Sequence, residues 1–236
     1  MDDINDYLAG IAIGVRFRNN YSIEDCYGAI SDTLLYSNKN GVLNHITFPY
    51  QSKGVGHSEL RLQSDSGNSL VININNIIID INFSQKIPKE KAQNVIDEYF
   101  NALTEKIYKI VNIKEVRLIG IVYKYIIDDA KSAKALRNNL KKVTFDDASS
   151  ISVNFSKKLI LPDSKLKKEH NDYENIICTL SMNNESKENY YFQVDYQHIY
   201  SPRLASIIDI PYADFADKVK RYNANTISRW IKEHEK

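Results

Sequence analysis

The sequence predicts an α+β fold, with long helices packed on antiparallel sheet in two similar halves, residues 1–113 and 114–236. Three observations lead there. Glu115–Ile127 (EVRLIGIVYKYII), at the midpoint of the chain, reads as a strand that is apolar on both faces. A half-exposed strand would be polar on one face, so this one belongs in the middle of a sheet, covered on each side and paired on both edges. The order strand, helix, several strands, long helix runs once before this strand and again from its start. Residues 88–111 carry apolar side chains at three- and four-residue steps, a stripe wide enough to cover a sheet. The halves are expected to associate tightly, as far as one continuous domain.

In chain order, Ile11, Ile13, Val15 and Phe17 alternate with Ala12, Gly14, Arg16 and Arg18, giving a strand with its apolar face inward. Ser22 can cap the next helix with Asp25 as its capping-box acid, and Ile23, Cys26, Tyr27, Ile30 and Leu34 form the buried stripe. Strands are expected at Val42–Tyr50, Ser58–Gln63 and Ser69–Ile74, with a loop at Gln51–His57. Asn75-Asn76 suits a two-residue hairpin turn, so Ile77–Phe83 returns antiparallel. Pro88 opens the long helix, with Ala92, Val95, Ile96, Tyr99, Leu103, Ile107 and Ile110 inward. After the central strand, Asp128–Lys142 reads as a helix and Ile151–Phe155 as a strand. Lys157–Asp172 reads as a short strand plus loop. Asn175–Met182 and Tyr190–Tyr200 are strands, followed by a break at Ser201–Leu204 and a short strand at Ser206–Ile210. Pro211 opens the last helix, with Phe215, Val219, Tyr222, Ile227, Trp230 and Ile231 inward. No residue-level repeat links the halves.

Composition narrows the function classes. Hydrophobic residues make up 43% and charged residues 26%, an ordinary globular balance, and the net charge of +1 gives no overall pull toward nucleic acid, membranes or acidic ligands. No apolar run reaches the roughly 18–20 residues of a membrane helix. The start MDDINDYLAG lacks the basic residues of a signal peptide. Cys26 and Cys178 stand apart, outside any CxxC or Cys/His cluster, and read as two buried thiols. These features predict a cytoplasmic protein without membrane contact.

Catalytic motifs do not emerge. GxSxG, GxxxxGK[ST] and GxGxxG are all missing, and Gly54-Val55-Gly56-His57 reads as a hairpin loop. The five histidines lie on different elements without HxH or HExxH spacing, so neither a metal nor another cofactor is expected. Asp128-Asp129 and Asp146-Asp147 fall at element boundaries, where aspartates cap helices and open turns. Two groups could bind a ligand. Lys131, Lys134, Arg137, Lys141, Lys165, Lys167 and Lys168 lie on one helix and one nearby hairpin. They form either a phosphate-binding face or a solvated lysine-rich surface. Tyr190, Phe192, Tyr196, His198 and Tyr200 share one face of a strand. That face either lines a pocket or forms core beneath a helix, and core is the commoner use of such a face.

The passage Leu70–Tyr125 resembles an uncharacterised, sporadically distributed prokaryotic family. Its elements are a hairpin (LVININNIIIDINF), a long amphipathic helix, and a strand with Arg117, Gly120 and Tyr123. Family members carry an Arg-Leu-Gly-Leu-Arg-Tyr-Ile-Asn strand here. In this chain the arginine-to-glycine spacing is one residue longer, and Val122 and Lys124 or Ile126 stand where the family has Arg and Asn. The resemblance implies no established activity and no site residue. It suggests a bacterial accessory gene of patchy distribution, a habit shared with phage-defence and toxin–antitoxin components. The resulting expectation is a non-catalytic binding or assembly protein, a subunit or regulator with a protein partner or a second copy of itself. The alternative is a nucleic-acid-binding or nucleic-acid-processing protein that uses the lysine-rich region.

Overall fold

The computed structural model describes residues 7–35, 50–52, 59–63, 68–83, 89–128, 152–160, 171–182, 190–227 and 229. At its centre β1 (Leu8–Phe17) and β6 (Lys114–Ile127) run antiparallel, side by side. After β1 come α1 (Ser22–Asp25), α2 (Tyr27–Leu35), β2 (Tyr50–Ser52), β3 (Glu59–Gln63), β4 (Ser69–Asn73), β5 (Asn76–Asn82) and α3 (Lys89–Ile110). After β6 come β7 (Ser152–Ile160), β8 (Tyr173–Met182), β9 (Tyr190–Ser206), a 3-10 turn (Ile207–Asp209) and α4 (Tyr212–Tyr222), which runs into a π-turn at Asn223–Ile227.

All nine strands join one antiparallel sheet in the order β2-β3-β4-β5-β1-β6-β9-β8-β7. This corrects the expected α+β layout of two halves, each with a long helix on its own sheet. The molecule is predominantly one large sheet, and among the described residues only α3, at 22 residues, is a long helix. The expected 113/114 boundary falls where β6 begins, and β6 hydrogen-bonds along its length to β1 from the other side of that boundary.

One sheet face carries the core. Ile11, Ile13 and Val15 pair with Ile81, Ile79 and Ile77 on β5 and with Tyr123, Ile121 and Ile119 on β6. The same layer continues outward through Leu70 and Ile72 to Leu60 and Leu62, and on the other side through Phe192, Val194 and Tyr196 to Leu180, Cys178 and Ile176; all are buried. The helices cover this face. α3 buries Ile96, Phe100, Leu103 and Ile107, and Phe100 stacks on Tyr212 of α4 at 4.4 Å. Tyr212 Oη also donates to Asp97 Oδ1 at 2.6 Å. Ala92, Val95 and Tyr99 of the predicted stripe have side chains outside the described residues.

The second face is mixed. Leu118, Val122, Lys124 and Ile126 are only half-buried, so β6 is paired on both edges but not fully covered on both sides. Lys124 reaches across β1 to β5, where its Nζ lies 2.6 and 2.7 Å from the Asp80 carboxylate oxygens. The strand it crosses presents Gly10 and Ala12 there, which leave room for the four-carbon stem.

Of the central-strand glycines, Gly10 and not Gly120 is the point of close backbone approach. A Cβ on Gly120 would stand 3.4 Å from the Tyr196 carbonyl, an ordinary contact. One on Gly10 would stand 2.7 Å from the Ile81 carbonyl, which is backbone and cannot swing away. Gly10→Ala is therefore expected to cost about 1–3 kcal/mol in denaturant unfolding, as overpacking does. Gly120→Ala should cost markedly less. Equal losses at the two sites would refute the assignment.

Local chemistry explains several shifted boundaries. The β4–β5 turn is Ile74-Asn75 rather than Asn75-Asn76, because Asn73 Oδ1 accepts from both Asn75 N and Asn76 N and closes the turn one residue early. Ser22 makes no side-chain cap; its own N–H donates to Asn20 Oδ1 instead. Ser201–Leu204 does not end β9, which continues to Ser206, and a 3-10 turn takes the place of the expected strand at 206–210. β2 begins at Tyr50, the last residue of the expected strand at 42–50, and runs on to Ser52 in the expected loop. Cys178 is buried, whereas Cys26 is only partly so; both are free thiols. The expected helix at 128–142 lies outside the described residues beyond Asp128.

Candidate functional site

The ladder breaks at one end of the central strands. Arg16 pairs with Leu118 but Phe17 pairs with Val116, so Arg117 is the extra residue of a β-bulge. On the other edge of β6 the register jumps from Leu118–Ile199 to Val116–Leu204, so residues 200–203 of β9 loop out as well. Such irregularities re-aim side chains that a regular ladder would send to alternate faces. The segment after β1 is tied to the β4–β5 hairpin at the same end, through Phe17 N to Asn75 O at 3.0 Å and Asn20 N to Ile74 O at 2.7 Å. Arg16, Arg18, Arg117 and Arg203 thereby meet Asn19, Asn75, Asn76 and Phe17 around an open cleft of about 530 Å³.

Arginine is scarce in this chain. Only eight of its 31 basic residues are arginines, and four of the eight line this cleft. Among the described residues the carboxylate hydrogen-bonded to them is Glu115, whose two oxygens each accept from a different arginine, Arg18 Nη1 and Arg203 Nη1, the latter at 3.1 Å. Hydrogen bonding from Arg18 holds the Glu115 carboxyl below the usual range and raises Arg18 in turn. Glu115 sits at φ 53°, a left-handed conformation unusual for a residue with a side chain. Its carbonyl accepts from Arg18 N at 3.2 Å, which helps hold it there. Strained residues held by their surroundings cluster at functional sites.

Arg117 has no hydrogen-bond or ion-pair partner among the described residues. Arg16 makes no hydrogen bond among the described residues, and its charge acts on Asp195. Burial holds the Asp195 carboxyl above its usual range, although a 2.7 Å hydrogen bond from Gln197 and the charge of Arg16 oppose this. Among the described residues, Glu115 is hydrogen-bonded to two of the four guanidinium groups and Asp195 acts on Arg16 through its charge. The amides form a chain, Asn76 Nδ2 to Asn75 Oδ1 at 3.5 Å and Asn75 Nδ2 to Asn19 Oδ1 at 3.3 Å. Asn76 Oδ1 is a buried acceptor without a hydrogen-bond partner.

The ring-lined face predicted from sequence belongs to the core. Tyr190, Phe192, Tyr196 and Tyr200 are buried, Phe192 stacks on Tyr125 at 6.0 Å, and Tyr196 Oη donates to Asn223 Oδ1 at 3.3 Å. The cavity that Tyr196 lines with Phe215 and Lys218 is about 30 Å³, room for one water. Of the two uses such a face can have, these four side chains take the commoner one and pack in the core. Lys131, Lys134, Arg137, Lys141, Lys165, Lys167 and Lys168 all lie outside the described residues. Sequence reasoning missed the arginine cleft, because its residues come from four separate stretches; the scarcity of arginine was the one available hint.

His198 stands apart from its buried neighbours. Its Nδ1 lies 3.3 Å from Glu174 Oε1 and its Nε2 lies 3.2 Å from Asp172 Oδ2, while Lys218 of α4 holds Glu174 at 2.6 Å. Burial opposes the imidazolium, but the hydrogen bonds to Glu174 and Asp172 outweigh it and raise its pKa. A raised folded pKa adds stability that is fully present below the unfolded value, ~6.5, and is lost as pH rises through the folded value. The stability gap between wild type and His198→Gln should thus be widest near pH ~5.5 and shrink toward pH ~8.5. Urea titrations at several pH values measure it, and a gap that grows with pH would show the histidine folds neutral.

Among the described residues no group of three or more His, Cys, Asp or Glu is placed to hold a metal ion, and no helix is long and apolar enough to cross a membrane. No protein-family model and no curated protein matches the chain.

Proposed function

We propose that this is a non-catalytic binding protein, a subunit or regulator in a larger assembly, that grips an anionic group of its partner in the arginine cleft. The observation that carries this reading is the convergence of Arg16, Arg18, Arg117 and Arg203 around a single bridging carboxylate. Guanidinium groups stay charged at any physiological pH, and carboxamides do not titrate. A wall of both can hold an anion. Its planar forks match the oxygens of carboxylates and phosphates. The patchy bacterial distribution that the family resemblance implies would suit such an accessory subunit.

Affinity capture from the native host tests this, using wild type and Arg16→Ala/Arg117→Ala side by side. A discrete partner is expected with wild type and should be lost from the double variant. Recovery of the same partner with both would move the contact off the cleft. Recovery of the bare protein would overturn the assembly role.

A further inference from the structure

We infer that Glu115 is a positioning residue of the arginine cleft, a fixed carboxylate that holds Arg18 and Arg203 in place for an incoming anion; this role rests on the anion-binding reading above. The two arginines come from separate segments, the stretch after β1 and the looped-out part of β9. Their side chains are 68% and 47% exposed, so alone they would sample many rotamers and, as like charges, spread apart. Glu115 accepts from Arg18 Nη1 on one carboxylate oxygen and from Arg203 Nη1 on the other, which draws both guanidinium groups to one point. A guanidinium carries five N–H donors, so a single bond to Glu115 leaves most of them for a ligand. Groups held in the bound arrangement before the ligand arrives lose less freedom when it binds.

The backbone that carries this carboxylate is anchored on both sides. Arg18 N donates to the Glu115 carbonyl at 3.2 Å, and Asn20 Nδ2 donates to the Asn112 carbonyl at 3.3 Å. On the other side Lys114 pairs with Ser206 and Val116 with Leu204, and Ile207 N donates to the Ile113 carbonyl at 3.1 Å. Glu115 thus lies on a segment bonded to both segments that bring the arginines. It is held at φ 53°, where a glycine would sit without strain, so what glutamate adds there is its carboxylate. Arg18 and Arg203 line the cleft, and Glu115 does not. The carboxylate therefore backs the guanidinium groups and does not fill the space an anion enters, which decides between a support and a competitor.

Isothermal titration of the full chain with inorganic phosphate tests this role, on wild type, Glu115→Gln, Glu115→Gly and Arg16→Ala/Arg117→Ala. Glutamine keeps the length and one acceptor oxygen, glycine keeps neither, and both raise the net charge by the same amount. Charge alone would make both variants bind phosphate more tightly, and equally so. Positioning predicts the reverse, with binding weakened about fivefold or more in Glu115→Gly and Glu115→Gln in between. Asp32→Asn, which removes an exposed carboxylate of α2, should leave binding unchanged. Binding by Glu115→Gly as tight as wild type or tighter, or no difference between the two Glu115 variants, would overturn the positioning role. If the double arginine variant has lost phosphate binding in the same series, the anion cleft stands without it. Phosphate binding untouched by the double variant, or absent from wild type, would take both down. Circular dichroism melting checks that each variant is folded. An exposed ion pair adds little stability, so the Glu115 variants should melt close to wild type.

Discussion

Phe192→Ala is expected to lower the free energy of unfolding by about 3–5 kcal/mol. Phe192 is 1% exposed, sits opposite Tyr125 on β6 and Leu180 on β8, and stacks on the Tyr125 ring. Truncation removes a full aromatic side chain from a layer whose backbone is fixed on both edges by ladder hydrogen bonds. The neighbouring strands cannot close in, so most of the volume stays as cavity. A domain's total stability is typically only ~5–15 kcal/mol, so this one change should remove a large share of it. Denaturant titration with an unchanged slope checks it. A loss below ~1 kcal/mol would return the Tyr190–Tyr200 face to the pocket reading, since a pocket wall tolerates truncation far better than core.

Leu103→Ala should cost about 2–5 kcal/mol. Leu103 is 3% exposed, one turn from Phe100 and one from Ile107 on the buried stripe of α3. α3 is tied to α4 by the Phe100–Tyr212 stack and by Asp97, which accepts from both Tyr212 and Lys220. These ties limit how far the helix can settle into the void. A loss below ~0.5 kcal/mol, as surface sites give, would mean that α3 rests on the sheet by another face.

Much of the sheet was legible because strand periodicity is local. Ile11 to Phe17, Ile77 to Ile81 and the odd positions of β6 alternate plainly, and each burial pattern follows the sequence pattern. Which helical positions face inward was equally readable at Ile96, Leu103 and Ile107. Reading β6 as covered on both faces failed for a physical reason. Apolar content shows that a face avoids full exposure, but half-burial among Gly10, Ala12 and the aliphatic stem of Lys124 satisfies that equally well.

The sequence by itself determined the strands β1, β5 and β6, the inward face of α3 and the isolation of the two cysteines, because each depends on residues a few positions apart. Only the tertiary structure decided the sheet order and the register of β1 on β6. That register sets Gly14 opposite Gly120. The same register places a bulge at Arg117 and so brings Arg16, Arg18, Arg117 and Arg203 to one cleft. Strand pairing across a hundred residues is chosen by the fit of whole faces, and a one-residue slip would send every one of those side chains to the other side.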